Sequence, residues 1–168
     1  MKDEDCIYVS TSGANGIESR IAKISRDGQQ DFADIFLGHL CSYRGEVYAV
    51  NTMEYVQVDE RTELFQSGTH GLYRITDDSL ELLWNLPQYY TPLDFVIQDE
   101  TVIAVLSGKD RIDLFHMDGE EAGQLCKVNA AYDFQYNEQG ITITPDGTVY
   151  YVDAQNCKLY KIINAYGG

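Results

Sequence analysis

Residues 140–162, GITITPDGTVYYVDAQNCKLYKI, constrain the fold more tightly than any other stretch of the chain. Ile141 and Ile143 alternate with polar neighbours, the pattern of a strand that buries one face. Pro145-Asp146-Gly147 ends that run, because Pro presets its own φ and Gly accepts φ > 0. Residues 148–153 and 158–163 are two further runs rich in β-branched and aromatic side chains. Three short strands joined by tight turns make a meander. A meander this small cannot bury its faces alone, so further copies are expected along the chain.

They are present. Val149-Tyr150-Tyr151 falls into register with Ile7-Tyr8-Val9, Val47-Tyr48-Ala49 and Val102-Ile103-Ala104, whose starts are 40, 55 and 47 residues apart (47−7, 102−47, 149−102). Lys158-Leu159-Tyr160-Lys161-Ile162 recurs as Arg20-Ile21-Ala22-Lys23-Ile24, Gly71-Leu72-Tyr73-Arg74-Ile75 and Arg111-Ile112-Asp113-Leu114-Phe115. A fourth strand follows in three copies, over 32–37, 80–84 and 123–128. It comes after Arg26-Asp27-Gly28, Thr76-Asp77-Asp78 and Met117-Asp118-Gly119, and Asp-Gly between apolar runs is a strong hairpin signal. Differences in spacing read as loop insertions, the largest at 52–68.

Antiparallel four-stranded units of this size in series are the signature of propeller blades, with a generic β-sandwich as the alternative. The expected fold is therefore all-β, a single β-propeller-type domain over 1–168 with about four blades. Their bounds are about 5–38, 39–87, 88–129 and 130–164. With strands lettered a to d from the axis outward, the chain reads b-c-d, a-b-c-d, a-b-c-d, a-b-c, fourteen strands. The first blade lacks its inner strand and the last its outer strand. Such unpaired end strands invite pairing with another chain, so a homo-oligomer or a larger propeller is expected to complete the ring.

The 140–162 segment resembles a blade of the six-bladed NHL and gluconolactonase-like (SMP-30-like) propellers, in which a strand, a P-D-G turn and a V-Y-x-x-D strand recur. The resemblance is looser over 41–84 and 93–128, and partial at the N-terminus. In the gluconolactonase type it implies a divalent cation, Ca or Mg, held by oxygen ligands near the axis. Asp153 matches the Asp of the strand-b motif and Asn51 is its counterpart in the second unit, so these are the metal candidates. Gln139 stands where that pattern has Asn, and the N-terminal Glu ligand has no counterpart here.

Twenty-seven acidic against 12 basic residues leave a net charge of −15, which disfavours nucleic acid and anionic membrane as partners. The longest apolar strand run, 102–106, is far short of a membrane span, so no membrane insertion is expected. Residues 1–5, MKDED, lead into no apolar leader, which implies a cytoplasmic location unless a signal has been removed. Four cysteines, Cys6, Cys41, Cys126 and Cys157, form no C-x-x-C pair and are expected as thiols. Cys6 and Cys126 read as small apolar strand residues, and Cys157 as a loop residue.

No nucleophile elbow, P-loop, dinucleotide fingerprint or EF-hand loop is present. In a propeller the d-to-a connections and b–c loops gather on one face, and loops on rigid scaffolds carry function. Here those are 38–40, 87–92 and 129–139, with the loops after Asn51, Ser107 and Asp153. The candidate ligand-binding residues are His39, Asn51, Tyr89, Tyr90, Asp94, Tyr132, Asp133, Tyr136 and Asp153. Tyr presents a flat apolar face with a hydroxyl at its tip, which suits sugars and peptides; its structural role would be to fill space between blades. The expected function is non-catalytic binding of a protein, peptide or glycan, with no cofactor. The alternatives are a divalent-cation-dependent lactonase or hydrolase, and a structural segment of a larger propeller.

Overall fold

A computed structural model of the protein describes residues 6–12, 19–33, 39–50, 54–58, 61–65, 71–76, 79–87, 92–97, 99, 102–107, 111–127, 139–153 and 157–162. Every regular element among them is a strand. In chain order these are β1 (Ile7–Ser12), β2 (Ser19–Ser25), β3 (Gly28–Ala33), β4 (His39–Tyr43), β5 (Glu46–Val50), β6 (Glu54–Val58), β7 (Arg61–Phe65) and β8 (Gly71–Ile75). They continue with β9 (Leu80–Asn85), β10 (Pro92–Ile97), β11 (Val102–Ser107), β12 (Arg111–His116), β13 (Glu121–Lys127), β14 (Gln139–Ile143), β15 (Val149–Asp153) and β16 (Lys158–Ile162). The first sheet is β1-β2-β3, the second β4-β5-β8-β9, the third β10-β11-β12-β13 and the fourth β14-β15-β16. The grouping of three, four, four and three is the expected one, but β3 (Gly28–Ala33) begins directly after the Asp27-Gly28 turn, four residues before the expected strand at 32–37, of which 34–37 lie outside the described residues. The insertion at 52–68 is more than a loop: β6 and β7 form a two-stranded antiparallel sheet there. Its arms carry β-branched and aromatic residues, and only two residues connect them.

The registers show one unit used repeatedly. Ile7 pairs with Ile24, Val47 with Ile75, Ile103 with Phe115 and Val149 with Ile162. In the third sheet this sets Ile103, rather than Val102, level with Val47. A one-residue slip exchanges the two faces of a strand, and the unbroken apolar run 102–106 offers no polar residue to mark the phase. A second recurrence is a β-bulge. Where the third strand of a unit meets the fourth, the ladder skips one residue of the fourth opposite Ile21/Ala22, Leu72/Tyr73 and Ile112/Asp113. Those are the same two positions of the repeat.

The chain divides into two compact units, Met1–Tyr89 and Tyr90–Gly168. In the first, Ile21 packs with Ala49, Tyr73 and Ile75, flanked by Tyr8, Leu40, Val47 and Leu80. In the second, Val96, Ile112 and Leu114 pack with Ile141, Val149 and Tyr151. Each fully buried side chain of this size contributes roughly 1.5–3 kcal/mol. The second sheet also buries Val50 and Leu72, which alternate with Ala49 and Tyr73 and so lie on its other face. The third sheet likewise buries Phe95, Ile97 and Phe115 behind Val96 and Leu114. The first and fourth sheets differ. In the first sheet Ile7 and Ile24 are exposed on the face that also holds the buried Ala22, and in the fourth Val152 and Leu159 are exposed opposite the face of Val149 and Tyr151.

The turns follow their sequences. Gly147, at φ 82°, donates its N–H to the Thr144 carbonyl (2.9 Å), and the Thr144 N–H returns to the Thr148 carbonyl (2.9 Å). The Asp146 carboxylate accepts from the Thr144 hydroxyl and from the Thr148 N–H. His116–Glu120 repeats this frame, with Gly119 at φ 92° and Asp118 accepting from the Glu120 N–H (3.1 Å). Arg44 (φ 50°) and Gly45 (φ 74°) make a two-residue turn with both φ positive, the twist that a tight hairpin requires. Gly71 has a different duty: a Cβ there would fall on the Trp84 carbonyl oxygen and lie 2.7 Å from Leu82 Cδ1. Cys6 precedes β1 rather than lying within it and is half-buried, as is Cys41, whereas Cys157 is exposed.

Candidate functional site

Antiparallel pairing decides which ends of the strands meet. In the second unit Pro92 pairs with Ser107, so the start of β10 lies beside the end of β11. Gln139 pairs with Asp153, so the start of β14 lies beside the end of β15. One side chain then ties the two sheets at that end. Asp94, near the start of β10, accepts the Ile141 N–H of β14 through Oδ2 (2.9 Å) and the Phe95 N–H through Oδ1 (2.8 Å). The starts of β10 and β14 and the ends of β11 and β15 therefore share one end of this unit.

That end carries two carboxylates. Asp94 is half-buried, and both of its oxygens are engaged by backbone N–H groups. The bond to Ile141 matters because β14 is an edge strand of its sheet, and its outward N–H would otherwise lack a partner there. Asp153 is completely buried, on the same face of β15 as Val149 and Tyr151. It stands in the row Gln139–Asp153–Lys158, at the end of the apolar core between the third and fourth sheets. A buried carboxylate is tolerated only with compensating polar contacts, so this position is specified by the fold.

His39 opens β4 and pairs with Val50, the residue before Asn51, so it marks the corresponding end of the first unit; it is half-buried. The structure thus brings Asp94 and Asp153 to one end of the second unit and sets His39 at the matching strand end of the first. Asn51, Tyr89, Tyr90, Tyr132, Asp133 and Tyr136 lie outside the described residues. Among the described residues no three His, Cys, Asp or Glu side chains come together as a metal site, and no helix is long and apolar enough to cross a membrane.

A polar lattice not anticipated from the sequence crosses the second sheet. The Tyr48 hydroxyl donates to Glu46 Oε2 (2.8 Å), and Arg74 reaches Glu81 through Nε (3.0 Å) and Nη2 (2.5 Å). Arg74 Nη1 also stands 4.0 Å from Glu46 Oε2. Burial, reinforced by the Glu46 carboxylate, pushes the Tyr48 phenol up to about 12. Their partnership follows from the cross-strand register Tyr48–Arg74–Glu81.

No protein-family model matches the chain, and no curated protein matches it. Solved structures do. The chain is similar to a structural genomics protein of unknown function from Bacteroides thetaiotaomicron VPI-5482, at 13% identity and a TM-score of 0.64, over 92% of this chain and 38% of that one. It is also similar to an auxiliary nutrient binding protein from Bacteroides ovatus ATCC 8483, at 11% identity and a TM-score of 0.57, over 98% of this chain and 43% of that one. The chain therefore spans about two-fifths of the length of these solved chains. At such identities the likeness concerns the fold alone.

Proposed function

We propose that this chain is a propeller-type repeat segment whose loop face binds a protein, peptide or glycan without catalysing a reaction on it. The four meander sheets are read as successive blades of the NHL and gluconolactonase-like kind within a single propeller domain. Their shared register and the bulge at one repeat position support that reading. The observation that carries the binding role is the junction at Asp94. It joins the starts of β10 and β14 at one end of the second unit, where Asp153 is also buried, and Tyr90, Tyr132, Asp133 and Tyr136 are proposed, from the sequence, as the ligand contacts near that end. The flat faces and hydroxyl tips of tyrosines suit sugar or peptide ligands. The similar chain from Bacteroides ovatus is an auxiliary nutrient binding protein, which agrees with a binding role.

Glycan and peptide arrays, followed by calorimetric titration of the hits, test this. Tyr90→Ala and Tyr136→Ala are each expected to weaken capture about tenfold or more, a loss of about 1.4 kcal/mol, with the melting temperature unchanged. Silence of both variants against an identified ligand would remove the loop face from consideration. Adding millimolar calcium or magnesium separates the enzymatic alternative. A divalent cation bound by the native chain would raise the melting temperature, whereas the binding reading expects no shift.

A further inference from the structure

The sheet formed by β6 and β7 lies outside the repeat. Its ladder runs without a shift of register from Glu54–Phe65 at the open end to Val58–Arg61 at the tip. The open end is tied to a known place in the first unit. β5 ends at Val50, which pairs with His39, and β6 begins four residues later at Glu54. A chain that short keeps Glu54 within about 15 Å of Val50. The hairpin is therefore anchored at the strand end that carries His39.

Two short antiparallel arms hold together only marginally in water; a third strand makes such a ladder stable. Among the described residues β6 and β7 have each other as their only strand neighbours. Both arms are nevertheless rich in sheet formers: Tyr55, Val56 and Val58 in β6, and Thr62, Leu64 and Phe65 in β7, with neither Gly nor Pro. Their charge is one-sided. Residues 54–65 hold Glu54, Asp59, Glu60 and Glu63 against Arg61, a net charge of −3 (1 − 4). Arg61 belongs to β7, so β6 carries no basic residue at all. That charge repels a second copy of the hairpin and attracts an extended strand that is basic.

We propose that an extended, basic polypeptide segment of a partner protein adds to β6 as the third strand of this hairpin. Strand addition of this kind draws its affinity from main-chain hydrogen bonds, which a glycan does not offer in a ladder. The inference rests on the reading of this end as the binding face, and it narrows the ligand there from protein, peptide or glycan to polypeptide. Basic residues in the added strand match the acids of the hairpin, which sets the partner's composition as well as its conformation.

Calorimetric titration of the full chain with a blocked peptide of about ten residues, alternating lysine and valine, tests this. The control is the same peptide with proline in place of valine, which keeps the charge but cannot form a ladder. The lysine–valine peptide is expected to bind at least about tenfold more tightly than the control. Val56→Lys should reduce its affinity to that of the control, and hydrogen exchange of the β6 amides in the wild type should slow when it is added. Replacing 54–65 by a short Gly/Ser linker serves if Val56→Lys misfolds. No binding, equal binding of the two peptides, wild-type affinity in the hairpin variants, or unaltered exchange in β6 overturns the proposal. Against a ligand identified on the arrays, hairpin variants that bind normally while Tyr90→Ala and Tyr136→Ala weaken capture would sink this inference and leave the binding reading standing. The reverse pattern would support the hairpin and discard the tyrosines.

Discussion

Tyr48 shows how a single side chain in this fold couples burial to charge. Its phenol is almost wholly buried and donates to Glu46, so ionisation would place two anions together in a poorly solvated site. Its pKa is raised to about 12 against the 10.0 of an exposed tyrosine. The protonated form is thus favoured by folding: the stabilisation is complete below about pH 10 and is lost as the pH climbs to about 12. Tyr48→Phe is expected to cost about 1 kcal/mol at neutral pH, the worth of its hydrogen bond. It should also flatten the fall of stability between those pH values. Urea midpoints measured in steps from pH 8 to about 12 would show it; parallel curves for the two proteins would refute the assignment.

Among the elements, β14 depends most visibly on one distant residue. Asp94 holds its Ile141 N–H from 47 positions away in the chain. Asp94→Ala would leave that N–H and the Phe95 N–H without their acceptor, a cost of about 1–3 kcal/mol. The Ile141 amide should exchange its hydrogen faster than neighbouring β15 amides, and unchanged protection would show that the carboxylate does not anchor the strand. This bond also marks where the chain's legibility stops. The β-meanders could be read from alternation and turn chemistry, because Pro145-Asp146-Gly147 and Met117-Asp118-Gly119 act locally. The register of β11 could not, since 102–106 is apolar throughout. The β6–β7 hairpin was hidden by a connection, Asp59-Glu60, that lacks the glycine such a turn usually advertises. Asp94 and Asp153 were identified as acidic residues beside loops. That one would become a tie between sheets and the other would be fully buried depends on contacts no local pattern encodes.

For the molecule as a whole, a charge of −15 on 168 residues makes self-repulsion a standing cost of compactness. Raising sodium chloride from about 0.05 to about 0.5 M shortens the screening length severalfold. If this recovers about 1 kcal/mol, the melting temperature rises about 2–4 °C for a chain of this size. Calorimetry at both salt levels checks this, and a fall in melting temperature would contradict it. The same screening touches another feature. β3, β9 and β13 each form the outer edge of their sheet, and the recurring bulge interrupts each edge with a skipped residue. Among the described residues β16 is an edge strand that pairs with β15 in an unbroken ladder, a straight template guarded by Lys158 and Lys161. Strand-by-strand growth toward a fibril would begin there, held back by two ammonium groups whose mutual repulsion fades in brine. Concentrated stocks that gain heat resistance from salt are therefore the ones expected to lose protein, slowly, to insoluble aggregate.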